Sequence, residues 1–482
     1  MLGAPPAFVI AGTKSGCGKT TVALGLMAAF RRRGLKVAPF KTGPDFIDPG
    51  FHSLICGRPS HNLDGWMMPE SALVDVFHAG SRDCDIAIIE GAMGLFDGAS
   101  GGSEKGSAAH IAKVLGVPVL LVADGRGVGR SICAMVKGYV EYDSSLKVAG
   151  VIVNMVGGER HKEILQQALK ELKLPFVATV KRRTEIKLPS RHLGLVTARE
   201  HKNWDRLVEG LGNLVEKEMD LDGLLETVSR YSSNRSLLLH EHDGTLFADT
   251  SCVPEVSKVK IAVARDKPFC FYYQRNLDIL KALGAKLCHF SPSSGDSLPE
   301  GACGVYLGGG YPELYAKELA RNQAFCQRLK EEIDRGIPVL AECGGFMFLG
   351  KGLLVEEGLF EWCGLFNSCF SMENRFQALG YRQAHLDRSC VLGDRGISFR
   401  GHEFRYSRVL SEIFPPWPYL RVYDASGKLV EVPHFVYKNV FASYIHIHFD
   451  SNPLVAENFV KRCREYLNRD FSNKGANQIP CS

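Results

Sequence analysis

Two glycine-bearing turns, one of them with a cysteine at its apex, carry residue types that could break an amide. In LAECGGFMFLG (340–350) an apolar run ends on Cys343 and passes into Gly344-Gly345. A sharp strand-to-helix turn exposes its apex side chain and aims the next backbone N–H at the same point, which suits a nucleophile and part of an oxyanion hole. Glycines beyond the apex permit unusual backbone angles and close approach of substrate. A free thiol titrates near ~8.5, so a base or a helix N-terminus is needed to form the thiolate at neutral pH. The bases on offer are His446 and His448 in VFASYIHIHFDSNP (440–453). On an alternating strand the two share a face, so the pattern does not choose between them. A second turn, GVYLGGGYPELY (304–315), ends a strand at Gly308-Gly309-Gly310. Gly309 and Gly310, with Gly344, offer backbone N–H groups to an oxyanion.

A different chemistry stands at the other end of the chain. In FVIAGTKSGCGKTTVALGLMAAF (8–30) a strand ends at Gly12, a loop with Thr13, Lys14, Gly16 and Gly18 follows, and Lys19-Thr20-Thr21 opens a helix. Backbone N–H groups of such a loop cradle phosphates, helped by the positive helix end. Lys19 would reach the terminal phosphates and Thr20 would bind Mg²⁺, which makes ATP and Mg²⁺ the expected cofactors. Thr13 stands where the strict motif has its first glycine. Asn154, ending the strand VAGVIVN (148–154), joins the nucleotide-binding set. FKTGPDFIDPGFH (40–52) supplies Lys41, Asp45 and Asp48, and IIEGAMGLFDG (88–98) supplies Glu90 and Asp97. Ligands of open α/β sheets collect at the carboxyl ends of strands. There, Asp45 and Glu90 can join Thr20 as hard oxygen ligands of Mg²⁺. Lys41, Asp45, Asp48 and Asp97 can orient a substrate. For Asp48 an ordinary exposed loop acid is an equal reading.

The loop resembles that of the dethiobiotin synthetase and septum-site ATPase branch of P-loop proteins. Lys14 matches the extra lysine that some of these use across a dimer interface, which would imply a homodimer; an exposed loop lysine is the other reading. Together with GRPSHNLDGWMMP (57–69) and LPSRHLGLV (188–196), these regions resemble the cobyrinate a,c-diamide synthase family. GGGYPE, the cysteine elbow, RGHEFRYS (400–407) and the distal histidines resemble a class I glutamine amidotransferase domain of the branch fused to corrinoid amide synthases. The resemblance implies that Cys343 attacks the side-chain amide of glutamine, a thioester forms, ammonia leaves and water releases glutamate. Alignment with the family's tyrosine-x-histidine segment assigns His446 as base. Two positions depart from the family pattern: Ala341 replaces a glycine, and His448 stands where the triad glutamate is usual. The third triad member is therefore His448, another acid, or none. Two chemistries in one chain suggest that ATP makes an acyl phosphate from a substrate carboxylate and that unprotonated ammonia reaches it by a shielded path. The resemblance further implies that the substrate is a tetrapyrrole polycarboxylate, a corrin ring amidated at its a and c side chains, whose carboxylates Arg191 and His192 could meet. A nickel sirohydrochlorin is the alternative ring. An ATP-driven dimer switch with a degenerate amidase domain is the alternative of another class.

These residues need two scaffolds. The first half alternates apolar runs, such as VPVLLVAD (117–124), with amphipathic segments at 18–33, 128–140 and 159–173. A second alternating pattern begins at VKIAVARD (259–266), and 353–450 is mostly β in pattern. Both predict α/β domains, each with a mostly parallel sheet covered on both faces, P-loop NTPase-like and then class I glutamine amidotransferase-like. The expected boundaries are 1–217, a polar linker at 218–258, 259–470, and a polar tail at 471–482. A length of 482 residues agrees with two domains. The net charge of +5, without clustered basic residues, gives no case for nucleic-acid binding. Fifteen scattered cysteines without a Cys-x-x-Cys pair predict a reducing compartment rather than a disulfide scaffold. The N-terminus lacks a basic and apolar leader pattern and no apolar run approaches a membrane span, so a cytoplasmic protein away from membranes is expected.

Overall fold

The computed structural model describes residues 4–183, 190–191, 194–195, 203–233, 259–410 and 419–476. The chain divides into two compact units, Met1–Gly244 and Thr245–Ser482.

The first unit is built on β1 (Ala7–Gly12), β2 (Val37–Thr42), β3 (His61–Leu63), β4 (Ile86–Gly94), β5 (Val119–Asp124), β6 (Val148–Val156) and β7 (Phe176–Lys181). They form one sheet in the order β3-β2-β4-β1-β5-β6-β7, with every pair parallel. A two-residue ladder joins β8 (Ser190–Arg191) to β9 (Gly194–Leu195). The helices are α1 (Lys19–Arg32), α2 (Asp48–Cys56), α3 (Glu70–Ser81), α4 (Ala108–Leu115), α5 (Ile132–Glu141), α6 (Glu159–Leu169), α7 (Trp204–Glu218) and α8 (Leu221–Ser233). The six residues of β1 and of β5 are all buried, as continuous apolar runs require when helices cover both faces. Val9, Ile89 and Leu121 meet α3 and α4 on one face, and Phe8, Ile10 and Ile88 meet α1 and α7 on the other. Each such side chain contributes about 1.5–3 kcal/mol on burial. The first half of the expected linker belongs to this layer: Leu221, Leu224 and Val228 of α8 are buried in the α1 cluster. Their spacing of three and four residues is a helical stripe, hidden in a polar surround. Residues 234–258 of that linker, His192 and the last six residues lie outside the described residues.

The second unit opens with β10 (Val259–Ala264), α9 (Gln274–Ala282), β11 (Ala285–Phe290), β12 (Gly304–Leu307), α10 (Ala316–Arg321), α11 (Gln323–Arg335), β13 (Val339–Glu342) and α12 (Gly344–Leu349). The β-rich stretch follows as β14 (Gly350–Val355), β15 (Gly358–Glu361), β16 (Phe366–Met372), β17 (Ala378–Leu386), β18 (Ser398–Arg405), β19 (Ser407–Val409), β20 (Leu420–Asp424) and β21 (Leu429–Val430). It ends in β22 (His434–Tyr437), β23 (Val440–Ser443), β24 (His446–Ile447) and α13 (Leu454–Ala476). The main sheet runs β11-β10-β12-β13-β23-β22, parallel except for the last pair. Two further sheets, β15-β14-β16-β19 and β21-β20-β17-β18-β24, hold the β-rich stretch. The expectation of two α/β units on mostly parallel sheets holds. The thirteen described cysteines are all free. Among the described residues no helix is long and apolar enough to cross a membrane.

Candidate active sites

The first site lies where β1 stands between β4 and β5, at the carboxyl ends of the strands. Gly18 adopts φ +89°, and a Cβ there would fall 2.1 Å from Asn154 Nδ2. Asn154 Nδ2 donates to Cys17 O at 3.0 Å, so it braces the loop backbone. Thr13 N donates to Val122 O at 3.0 Å, tying the loop entrance to β5. Lys19 is buried at the head of α1, its Nζ 3.4 Å from Lys14 O, and burial holds its ammonium below the usual value. Thr20 follows it and Thr21 stands half-buried in the same turn. Gly12 closes β1, and Gly16 turns the exposed tip at φ +75°. Lys14 is ion-paired within its own chain, 3.2 Å from Asp124 Oδ2.

Around Thr20 the chain assembles a buried charge cluster. Thr20 Oγ1 donates to Glu90 Oε1 at 2.6 Å. Lys41 Nζ meets Asp48 Oδ2 at 2.6 Å, Glu90 Oε1 at 3.0 Å and Asp45 Oδ2 at 3.8 Å. Burial opposes the charge on Lys41, but Asp48, Glu90 and Asp45 outweigh it and hold the ammonium above its ordinary value. Burial likewise opposes ionisation of Glu90, and Lys41, His52 and Thr20 overcome it and hold that carboxyl well below the usual range. Asp48 is pushed well above that range by burial and by the Asp45 and Glu90 charges. Three carboxyl groups crowd one ammonium here, and their mutual repulsion adds to burial in raising Asp48. Among the described residues no group of three or more His, Cys, Asp and Glu is arranged as a metal cage. Mg²⁺ does not need one, because phosphates and waters complete its shell. Hard oxygens from Thr20 and Glu90 at the loop, with Asp45 beyond Lys41, fit that ion. Asp45 Oδ1 also accepts from Ile47 N and Asp48 N, which fixes the start of α2. Asp97 accepts from Gly94 N at 2.7 Å and closes its own turn. Arg191 falls on β8.

The second site is the elbow between β13 and α12. Cys343 takes φ +48°, ψ −101°, a conformation that costs a non-glycine residue about 1–3 kcal/mol. Its N–H donates to Ser443 O at 2.8 Å, so the elbow is anchored on β23. Gly345 N donates to Gly308 O at 3.0 Å, and a Cβ on Gly344 would lie 3.2 Å from Gly310 N. A Cβ on Gly309 would lie 2.3 Å from His446 Cε1. The elbow, the glycine turn and the His446 imidazole therefore surround one small space. Gly308 N is spent on Tyr272 OH at 2.8 Å. β18 forms another wall, with Phe404 O 3.9 Å from Cys343 Sγ. The thiol is not stored as thiolate: burial, then Glu313 and Glu403, push it up to about 12, against the Gly344 N–H and Arg405. Burial lowers His446 to about 3, so its imidazole is neutral at neutral pH. Proton transfer must accompany attack on a substrate.

The two histidines have different surroundings. His448 falls just outside β24, its ring 4.9 Å from that of Tyr273. Its Nδ1 is 3.9 Å from Asp450 Oδ2, but Asp450 is held at 2.8 and 3.0 Å by Arg275. Neither ring nitrogen of His448 has a hydrogen-bond partner among the described residues. It therefore gives His446 no orienting hydrogen bond in this geometry.

Comparison with known proteins covers both units. Residues 8–196 match the CobQ/CobB/MinD/ParA nucleotide binding domain, and residues 260–454 match the CobB/CobQ-like glutamine amidotransferase domain. A cobyrinate a,c-diamide synthase of Syntrophotalea carbinolica is 41% identical over 464 residues, covering 95% of this chain and 99% of that one. Those of Dehalococcoides mccartyi strain CBDB1 and Archaeoglobus fulgidus are 38% and 39% identical, over 96% and 95% of this chain and 99% and 97% of theirs. This chain belongs to the cobyrinate a,c-diamide synthase family. It is accordingly an amide-forming ligase with a nucleotide-binding domain and a glutamine amidotransferase domain. A solved glutamine amidotransferase is similar at 17% identity and TM-score 0.31, over 42% of this chain and 98% of that one.

Two residues that touch these sites escaped the sequence. His52 Nε2 lies 2.7 Å from Glu90 Oε2, and its Nδ1 lies 3.2 Å from Ser60 Oγ. The signal was its place four residues after Asp48 on one helix, which puts both side chains on the same face. Glu342, beside Cys343, is the other; its signal was an acid inside an otherwise apolar strand.

Proposed function

We propose that this chain amidates the a and c side-chain carboxylates of cobyrinate, using ATP to activate each carboxylate and glutamine to supply each nitrogen. The observation that carries the reading is the similarity to cobyrinate a,c-diamide synthases across 95–96% of the chain, through both sites. A carboxylate is a poor acyl donor because its leaving oxygen is too basic. Phosphorylation turns that oxygen into a phosphate leaving group, and ammonia then forms the C–N bond as the C–O bond to phosphate breaks. Lys19 stabilises charge on the transferred phosphoryl group, while Lys41 and Asp48 orient the acceptor. Thr20, Glu90 and Asp45 would hold Mg²⁺, which supplies further positive charge at the phosphates. In the amidase unit the Cys343 sulfur attacks the amide carbon of glutamine and His446 takes the thiol proton. N–H groups of Gly309, Gly310 and Gly344 receive the developing oxyanion. His446 returns the proton to the departing ammonia, and water cleaves the thioester to glutamate.

Cys343→Ala tests the assignment. Glutamine-supported synthesis should fall by more than about a thousandfold, because nothing replaces the nucleophile, while synthesis from added ammonium persists. Continued use of glutamine by that variant would refute the amidase assignment. Supplying cobyrinate and nickel sirohydrochlorin in separate assays checks the ring, and product from the nickel compound alone would overturn cobyrinate as substrate.

A further inference from the structure

The imidazole of His446 is carried by a strand of only two residues. The chain leaves the main sheet at Ser443, the residue opposite Glu342, and reaches β24 at His446. β24 is the edge of its sheet. It pairs with β18 alone, through Gly401↔Ile447 and His402↔His446. A two-residue edge ladder is weak support for a group whose position must hold to a fraction of an ångström.

Side chains supply the other edge. Glu342 Oε1 accepts from Ile447 N at 2.9 Å, the amide between the two histidines. Asn276 Nδ2 donates to Ile447 O at 2.7 Å, and its Oδ1 accepts from Phe449 N at 2.9 Å. The remaining oxygen of Glu342, Oε2, accepts from Tyr306 OH at 2.9 Å. Glu342 is 2% exposed and Asn276 is fully buried. Glu342 is also the last residue of β13, directly before Cys343. One side chain thus joins the strand that ends in the nucleophile to the strand that carries the base.

We propose that Glu342 and Asn276 are positioning residues for glutamine hydrolysis, standing in for a missing neighbour strand and fixing the His446 imidazole against the Cys343 elbow. The inference rests on the reading of Cys343 and His446 as the amidase pair. The partners of the Glu342 carboxyl are a phenol and a peptide N–H, neither of them charged. Burial pushes the group up to about 8, against the two hydrogen bonds it accepts. Glutamine has the same shape and keeps an acceptor for Ile447 N, so it can fill the role; alanine removes both contacts.

The test uses the full chain, with kcat and KM for glutamine hydrolysis measured separately. Glu342→Ala should lower kcat about a hundredfold, the scale of a misplaced catalytic group, with KM within about threefold. Glu342→Gln should recover to within about tenfold of the parent. Asn276→Asp keeps the acceptor for Phe449 N and loses the donor to Ile447 O, and should lower kcat about tenfold at unchanged KM. A parent-like kcat in Glu342→Ala overturns the proposal, as does a loss that Glu342→Gln fails to restore. If Glu342→Ala does not fold, Asn276→Asp decides, and an unchanged kcat there overturns it. Cys343→Ala is assayed alongside. Glutamine hydrolysis by that variant would sink the amidase reading itself, an outcome separate from any result at Glu342.

Discussion

Lys41 is the counter-ion on which a whole group of acids depends. Its ammonium reaches Asp45, Asp48 and Glu90, and it is itself 4% exposed at the side chain. Lys41→Met would leave buried carboxylates without compensation, at a cost of about 3–5 kcal/mol. The melting temperature of the first unit should fall by roughly 10 °C at pH 7. The deficit should shrink on acidification, because the stranded carboxylates can then take up protons. A melt unchanged at neutral pH would contradict the cluster. Glu342 gives a pH dependence of its own. Its carboxyl is raised from 4.5 to about 8 by burial. The folded chain keeps this proton up to pH 8, whereas the unfolded chain releases it from 4.5 upward. Stability held at low pH is therefore lost as pH climbs through that window, at no more than about 1.4 kcal/mol per pH unit. Glu342→Gln lacks the loss, so its denaturation midpoint should gain on the parent's between pH 5 and pH 8. A gap that does not vary with pH would mean that the carboxyl is already ionised. The cysteine elbow and the phosphate loop were legible because their signals are local in sequence. His52 and Glu342 were not, because each acts through a partner far along the chain, Glu90 at a separation of 38 residues and Ile447 at 105.

Elements place these groups by letting backbones come close. A Cβ on Gly345 would sit 2.3 Å from Leu307 O and 2.7 Å from Leu307 C, atoms of β12 that cannot swing aside. Gly345→Ala should therefore cost about 1–3 kcal/mol in overpacking. It should also push the elbow away from the glycine turn, lowering glutamine hydrolysis about a hundredfold. Ammonium-supported synthesis, which uses the other unit, should be untouched. Comparing the two assays on one preparation checks this, and an equal loss in both would point to general misfolding. The strands of both parallel sheets could be foreseen because continuous apolar runs such as FVIAG and VPVLLVAD have one plausible use, burial on both faces. α8 could not, because its stripe of Leu221, Leu224 and Val228 sits among polar residues that match a linker equally well. The pairing of β24 with β18 was hidden for a related reason: a two-residue strand has no period to detect.

At the scale of the molecule, the cores do not mix. One buried cluster draws on Val259 to Cys463, and the other two on Ala7 to Val228. Each unit therefore has its own hydrophobic driving force and is large enough to fold by itself. Residues 1–244 and 245–482 made as separate chains should each melt cooperatively in calorimetry. The first should amidate the tetrapyrrole from ATP and ammonium, and the second should hydrolyse glutamine. Mixing them should restore glutamine-supported synthesis only weakly. Ammonia set free in bulk water at pH 7 is mostly protonated and diluted, whereas a shielded path within one chain would deliver it unprotonated. Raising the pH of the mixture should raise its rate, because more of the released nitrogen is then nucleophilic. A piece that aggregates, or melts without a transition, would show that the boundary cuts through a shared core; a mixture as fast as the intact chain would show that covalent linkage contributes nothing to nitrogen transfer.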